Sequence, residues 1–219
     1  MNKTITTLAL ILTSAAISSA SHVLISPVSA TTTTTGDLWP VSNLVQGPGT
    51  GFDANDPHNQ LGSAGGSRWV TAAPGGFPSD FIVAAGEPVL TFDLGSNTSI
   101  NAIHTWGYSV SNANGVKDFS LRFATDAEGT GGFGTSITSN PILSMLIDDV
   151  SMQTNEFGVV NARYVEMTVH STHISNGGNG PPAGGDRVGL GEVAFSVPEP
   201  SSVLLGFLGL AGLAFRRRR

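Results

Sequence analysis

The chain has 219 residues, a formal charge of −6, 28 glycines, 12 prolines and no cysteine. That length suits one domain with appendages, and the missing cysteine excludes disulfides, thiolate zinc sites and thiol nucleophiles together. Charge is segregated: Lys3 and Arg216, Arg217, Arg218 and Arg219 sit at the ends, every acidic residue lies between Asp37 and Glu199, and only Arg68, Lys117, Arg122, Arg163 and Arg187 balance them. An acidic middle is a poor match for nucleic acid, whose phosphates need clustered Lys and Arg.

In chain order, Lys3 opens a short basic segment, and Leu8, Leu10, Ile11, Leu12 and Ile17 supply an apolar stretch. Pro27-Val28-Ser29-Ala30 then places small side chains where signal peptidase reads them, so residues 1–30 are expected to be a signal peptide and Thr31 the mature N-terminus. An earlier cut near Ala20 and an uncleaved membrane anchor are the alternatives. Residues 31–38 begin with Thr31 to Thr35, a polar run expected to form a disordered linker.

From residue 39 to 196, β-like runs alternate with Gly, Asn, Pro and Ser clusters, and no helical period is sustained. Phe119, Leu121 and Phe123 alternate with Ser120 and Arg122, and Val165, Met167 and Val169 alternate with Glu166, Thr168 and His170, giving each strand an inner and an outer face. Val89–Leu94, Ile100–Tyr108 and Val188–Phe195 are three further expected strands. The expected class is all-β, a sandwich.

Arg68-Trp69-Val70, Pro88 to Gly95, Ile100-Asn101-Ala102-Ile103, Gly115 to Phe119, Ala162-Arg163-Tyr164-Val165 and Val188 to Val193 resemble, in order and spacing, discoidin domains. These are also called coagulation factor 5/8 C-type and are related to galactose-binding-like modules. The resemblance runs from about Trp39 to Phe195 and implies an eight-stranded jelly roll. It also implies a structural calcium ion between an early loop and the last strand, here Asp53, Asn55, Asp56 and Glu192, with Ser63 a weaker donor. Oxygen donors of this kind suit Ca2+, although the insert Pro57-His58-Asn59-Gln60 departs from the family and an ion-free acidic turn is the alternative. Ligands of the family bind on loops at one end, which here offer Trp39, His58, Tyr108, Asn112, Asn114, His173, Asn176 and Arg187. Such residues give a sugar an apolar platform beside donors and acceptors. Trp69 and Phe92 are expected in the core, His104 and Trp106 are assigned to packing, and Asp93 with Gly95 to a turn.

Catalytic patterns fail on inspection. His170-Ser171-Thr172-His173 lacks the spacing and the glutamate of a helical zinc motif. Gly129, Gly131, Gly132 and Gly134 match a dinucleotide fingerprint with no helix behind them, and the adjacent Asp148 and Asp149 point oppositely in a strand.

Residues 197–219 close the chain with Val197-Pro198-Glu199-Pro200, an apolar run from Val203 to Phe215, and four arginines. This layout resembles the PEP-CTERM sorting signal. The resemblance implies that Pro198, Glu199 and Pro200 form the recognition motif of an integral-membrane exosortase, in bacteria that make extracellular polysaccharide. The apolar run is shorter than the ~20 residues that span a bilayer comfortably, and Gly206, Gly209 and Gly212 weaken its helix. The arginines hold the tail end inside. The expectation is therefore a non-enzymatic binding module, transiently anchored in the inner membrane by its C-terminal helix, processed by signal peptidase and exosortase, and delivered to the cell surface, outer envelope or matrix. Extracellular polysaccharide is the expected partner. A structural matrix protein and a polysaccharide hydrolase are the rival readings.

Overall fold

The structure is a computed structural model that describes residues 23–45, 68–77, 79–107, 114–133, 142–146, 151–173 and 185–198. Among the described residues nine strands dominate: β1 (Val23–Ile25), β2 (Ser29–Thr32), β3 (Trp69–Val70), β4 (Val89–Trp106), β5 (Asp118–Ala124), β6 (Ile142–Ser144), β7 (Met152–Val169), β8 (Gly189–Leu190) and β9 (Glu192–Val197). A 3-10 turn, Val41–Val45, and one short helix, α1 (Phe81–Ala85), complete the described elements. The all-β expectation is met.

The larger sheet runs β1-β9-β4-β7-β5-β6, with β2 also alongside β4, and β3 with β8 forms a two-stranded ribbon. Two of the expected strands, Val89–Leu94 and the one beginning at Ile100, are the two halves of the single strand β4. Pairing with β7 shifts register between the two halves, from Asp93 to Thr98. Gly95 takes φ +83° there, a backbone state that L side chains avoid. Its amide donates to Asp93 Oδ1 at 2.7 Å, so the expected Asp93–Gly95 turn is present. Phe92 of the first half meets Phe195 of β9 edge to face, at 5.9 Å between centroids.

The alternation read from the sequence fixes that core. Phe119, Leu121, Phe123, Val165, Met167 and Val169 are buried, together with Trp69, Phe92, Ile103 and Leu190. His104 and Trp106 are buried as well, as packing requires, and His104 Nδ1 lies 2.9 Å from Thr154 Oγ1. The outer face is less open than the alternation implies. Glu166, expected to face water, is only 9 % exposed because the Arg122 guanidinium lies over it and its Nε donates to Glu166 Oε1 at 2.7 Å.

The N-terminal boundary differs from the sequence expectation. Residues assigned to the signal peptide pair with the sheet: β1 with Phe195 to Val197, and β2 with Leu90 to Asp93. The threonine run assigned to a disordered linker is ordered too. Thr31 and Thr32 lie in β2, Thr33 Oγ1 accepts from Val89 N at 3.0 Å, and Thr34 Oγ1 donates to Asp37 Oδ1 at 2.6 Å. Small polar side chains read as a linker locally, but the ladder to β4 overrides that preference. The described sheet thus begins at Val23 and not at Trp39.

A second ion-pair group clamps the turn of β4. Arg163 donates from Nε and Nη2 to the two oxygens of Asp93 at 2.9 and 3.0 Å, and from Nη1 to Asp126 Oδ1 at 2.5 Å. The Arg163 bonds, helped by the Gly95 amide, hold the Asp93 carboxyl below its ordinary pKa of 3.8. Hydrogen bonds from Ser144 and Ser171 do the same for Asp118. A folded-state pKa below the unfolded one contributes stability above the unfolded value, and that contribution disappears as pH falls through the depressed value. Stability measured by urea titration should therefore drop below about pH 4, and Asp93→Asn should flatten the drop while lowering stability at pH 7.

Candidate functional site

The β3–β8 ribbon gathers the described candidates for ligand binding. Trp39 bridges to Val70 of β3, Val70 pairs with Gly189 of β8, and Gly189 bridges to Gly115. Asn114 accepts from Gly189 N at 3.0 Å through its carbonyl, and His173 N donates to Gly115 O at 3.2 Å. Arg187 Nη1 donates to Thr71 O at 3.2 Å, and Val188 N donates to Thr71 Oγ1 at 2.9 Å. Trp39, Asn114, His173 and Arg187 therefore hang on one hydrogen-bonded framework. His58, Tyr108, Asn112 and Asn176 lie outside the described residues. One face of Trp39 is already covered by the Arg68 guanidinium, 5.5 Å from the ring centre. Asn114 is buried, at 8 % exposure.

Beside the ribbon opens a cavity of about 170 Å³ whose lining residues form no motif in the sequence. Thr33, Thr34, Thr35 and Thr71 bring hydroxyls, Glu87 brings a carboxylate, and Pro74, Phe81, Ala85 and Pro88 bring apolar surface. Local chemistry builds each wall. Thr33 is held to Val89 by backbone and side-chain bonds. Helix α1 starts where Asp80 caps Val83 N at 3.3 Å and stops at Gly86, at φ +83°. Phe81 N donates to Gly185 O at 2.8 Å, tying the helix to the segment that leads into Arg187. No helix is expected here from the sequence, and the walls that this short one supports come from distant segments.

Glu87 also joins a three-residue chain. His170 Nδ1 lies 2.9 Å from Glu87 Oε1, and His170 Nε2 lies 2.8 Å from Ser120 Oγ. The order carboxylate, imidazole, hydroxyl is that of a hydrolytic triad. Ser120, however, is only 6 % exposed and lies in mid-strand between Ile142 and Thr168, so its hydroxyl is not presented to a substrate. The chain ties β5, the end of β7 and the start of β4 together. The glycine pattern at 129–132 is a turn, in which Glu128 Oε2 accepts from Thr125 N and Oγ1 at 2.7 and 2.8 Å. Gly134, Asp148 and Asp149 lie outside the described residues.

Of the expected calcium donors, only Glu192 is described, with Asp53, Asn55, Asp56 and Ser63 outside. Glu192 is fully buried at the start of β9, opposite Trp106. Among the described residues no group of three His, Asp or Glu side chains is placed to hold a metal. No described helix is long and apolar enough to cross a membrane. Pro198 follows β9 directly, while Glu199, Pro200, the apolar run and the arginines lie outside the described residues.

The chain is similar, at low identity, to solved carbohydrate-binding domains. CBM32-3 from a family 31 glycoside hydrolase of Clostridium perfringens is 16% identical, with a TM-score of 0.48, covering 80% of this chain and 91% of its own. The family 32 module of C. perfringens NanJ, in complex with galactose, is 13% identical at 0.45, covering 76% and 91%. The CBM32 of AlyQ, in complex with 4,5-unsaturated mannuronic acid, is 18% identical at 0.44, covering 80% and 98%. No curated protein matches the chain. Residues 196–219 match the PEP-CTERM protein-sorting motif, so the chain carries the tail of secreted, exosortase-processed bacterial proteins.

Proposed function

We infer that this protein is a non-catalytic carbohydrate-binding module, exported through the membrane, sorted by an exosortase and retained on extracellular polysaccharide at the cell surface or in the matrix. The observation that carries the reading is the make-up of the cavity beside the ribbon. A sugar ring needs hydroxyl partners around its rim and apolar contact on its faces. Four threonines, Glu87, Phe81 and two prolines offer both within a space of about 170 Å³. Arg187, Asn114 and His173 on the ribbon framework are the side chains we assign to a second residue of the polymer, with His58, Tyr108, Asn112 and Asn176 assigned by the discoidin resemblance alone. The acidic middle of the chain favours neutral or amino sugars over polyanions. Single-site affinity is modest, and repeated presentation on a matrix supplies retention.

The test is a glycan array read with the intact domain in calcium. Wild type is expected to retain neutral polysaccharides, and Ala85→Tyr, which fills the cavity from an exposed position on α1, should reduce retention at least tenfold with an unchanged melt. No glycan retained by wild type, together with concentration-dependent assembly in scattering, would transfer the protein to the structural-matrix reading. Turnover of any polysaccharide would transfer it to the hydrolases.

Calcium belongs to the same proposal. The resemblance to discoidin domains groups Glu192 with Asp53, Asn55 and Asp56, which bring the hard oxygens that Ca2+ prefers. The ion would tie the early loop to β9. At a hundredfold excess over Kd, calcium should raise Tm by about 5–10 °C, and Glu192→Gln should abolish the rise. A cooperative melt unmoved by calcium would remove the ion.

A further inference from the structure

The position of β1 and β2 bears on how the chain is matured. Signal peptidase cleavage after Ala30 satisfies the small-residue rule through Val28 and Ala30. Cleavage there would sever β2 between Ala30, paired with Phe92, and Thr31, paired with Thr91. It would also discard β1, which is the outer partner of β9 through Val23↔Val197, Leu24↔Ser196 and Ile25↔Phe195.

The side chains lost would uncover the interior. Ile25 and Ala30 pack against the main core, and Leu24 packs against Trp106 and Ala194. Val28 N donates to Asp93 O at 2.8 Å, next to the Gly95 turn. A leader is removed and degraded. A segment that pairs through seven residues with two strands is part of the product.

The geometry points to maturation before Val23, by signal peptidase cleavage between Ala20 and Ser21. Ser18 and Ala20 supply the two small side chains, and the apolar stretch ends at Ile17, immediately upstream. The same logic excludes a longer leader, because any cut between Val23 and Thr32 removes sheet. This inference rests on the export reading of the proposed function.

The experiment is the N-terminal sequence and intact mass of the full chain, expressed in a bacterium that exports it. An N-terminus at Ser21 is expected. Ala20→Phe should block processing and leave a precursor, and Val28→Asp, a change at an exposed side chain that spoils the Ala30 site, should leave processing intact. An N-terminus at Thr31, or a block by Val28→Asp but not by Ala20→Phe, overturns the inference and leaves export standing. An intact Met1 on a chain that stays in the cytoplasm overturns both.

Discussion

A chain beginning at Thr31 should melt about 10 °C below one beginning at Ser21, or lose its cooperative transition, when both end at Val197. The shorter chain lacks β1 and the first half of β2, so β9 loses its outer ladder and Phe195, Trp106 and Ala194 lose the cover of Ile25 and Leu24. Fully burying a Leu or Ile side chain contributes about 1.5–3 kcal/mol, and these are half-buried. With the lost strand pairing the deficit comes to roughly 3–5 kcal/mol. In a domain of this size each kcal/mol moves Tm by about 2–4 °C. Thermal melts of the two chains side by side decide the matter. Transitions within 2 °C of each other would mean that β1 and β2 are decoration.

Phe92→Ala should cost about 3–5 kcal/mol, the usual range for truncating a buried aromatic side chain, and lower Tm by about 10–15 °C. Phe92 has no exposed surface, lies where β4 carries β2 on one side and β7 on the other, and meets the Phe195 ring across the core. Trp69→Phe is a narrower probe. It keeps an aromatic ring in the core but removes the 2.9 Å bond from Trp69 Nε1 to Asp37 Oδ2, which ties β3 to the segment after β2. About 1–2 kcal/mol is expected for the loss of one hydrogen bond to a carboxylate oxygen. Phe77→Ala, at a side chain 68 % exposed, is the matched control and should change stability by less than about 0.5 kcal/mol. A Phe92→Ala protein as stable as the control would contradict the core described here.

The sequence is most legible where periodicity meets burial. Phe119, Leu121 and Phe123 and the matching run from Val165 to Val169 announce strands because side chains alternate along a strand, and they occupy the inner face as expected. It is misleading where two codes overlap. Val28-Ser29-Ala30 satisfies the cleavage rule, and Thr31 to Thr35 looks like a tether, yet both are ordered by pairing with Leu90 to Asp93, a contact across some sixty residues that no local rule carries. The length of β4 is hidden for a similar reason. Gly95 and Ser96 read as a break between strands, whereas the chain turns there without leaving the sheet.

The candidate site was legible as a region and not as a lining. Asn114, His173 and Arg187 were expected on binding loops by the resemblance to discoidin domains, and the structure joins them to the ribbon through Gly189, Gly115 and Thr71. Thr33, Thr34, Thr35, Thr71 and Glu87 were not singled out, because hydroxyls are common in linkers and a lone glutamate carries no pattern. Only the folding of the N-terminal segment against Pro88 and α1 gives them a shared cavity.

The pairing of Val23 with Val197 has a mechanical side. The sorting tail leaves the fold at Val197, and Glu192, at the other end of β9, adjoins the ribbon. Tension between an anchored tail and a ligand held near the ribbon would therefore run along β9. The strand is gripped on one side by β4, from Ala102↔Ser196 to Trp106↔Glu192, and on the other by β1. A pull parallel to the ladder strains all of its hydrogen bonds together, whereas a pull at Val23 would peel β1 away one bond at a time. Loaded through its C-terminal end, the domain resists in shear, which suits the surface retention we propose for it.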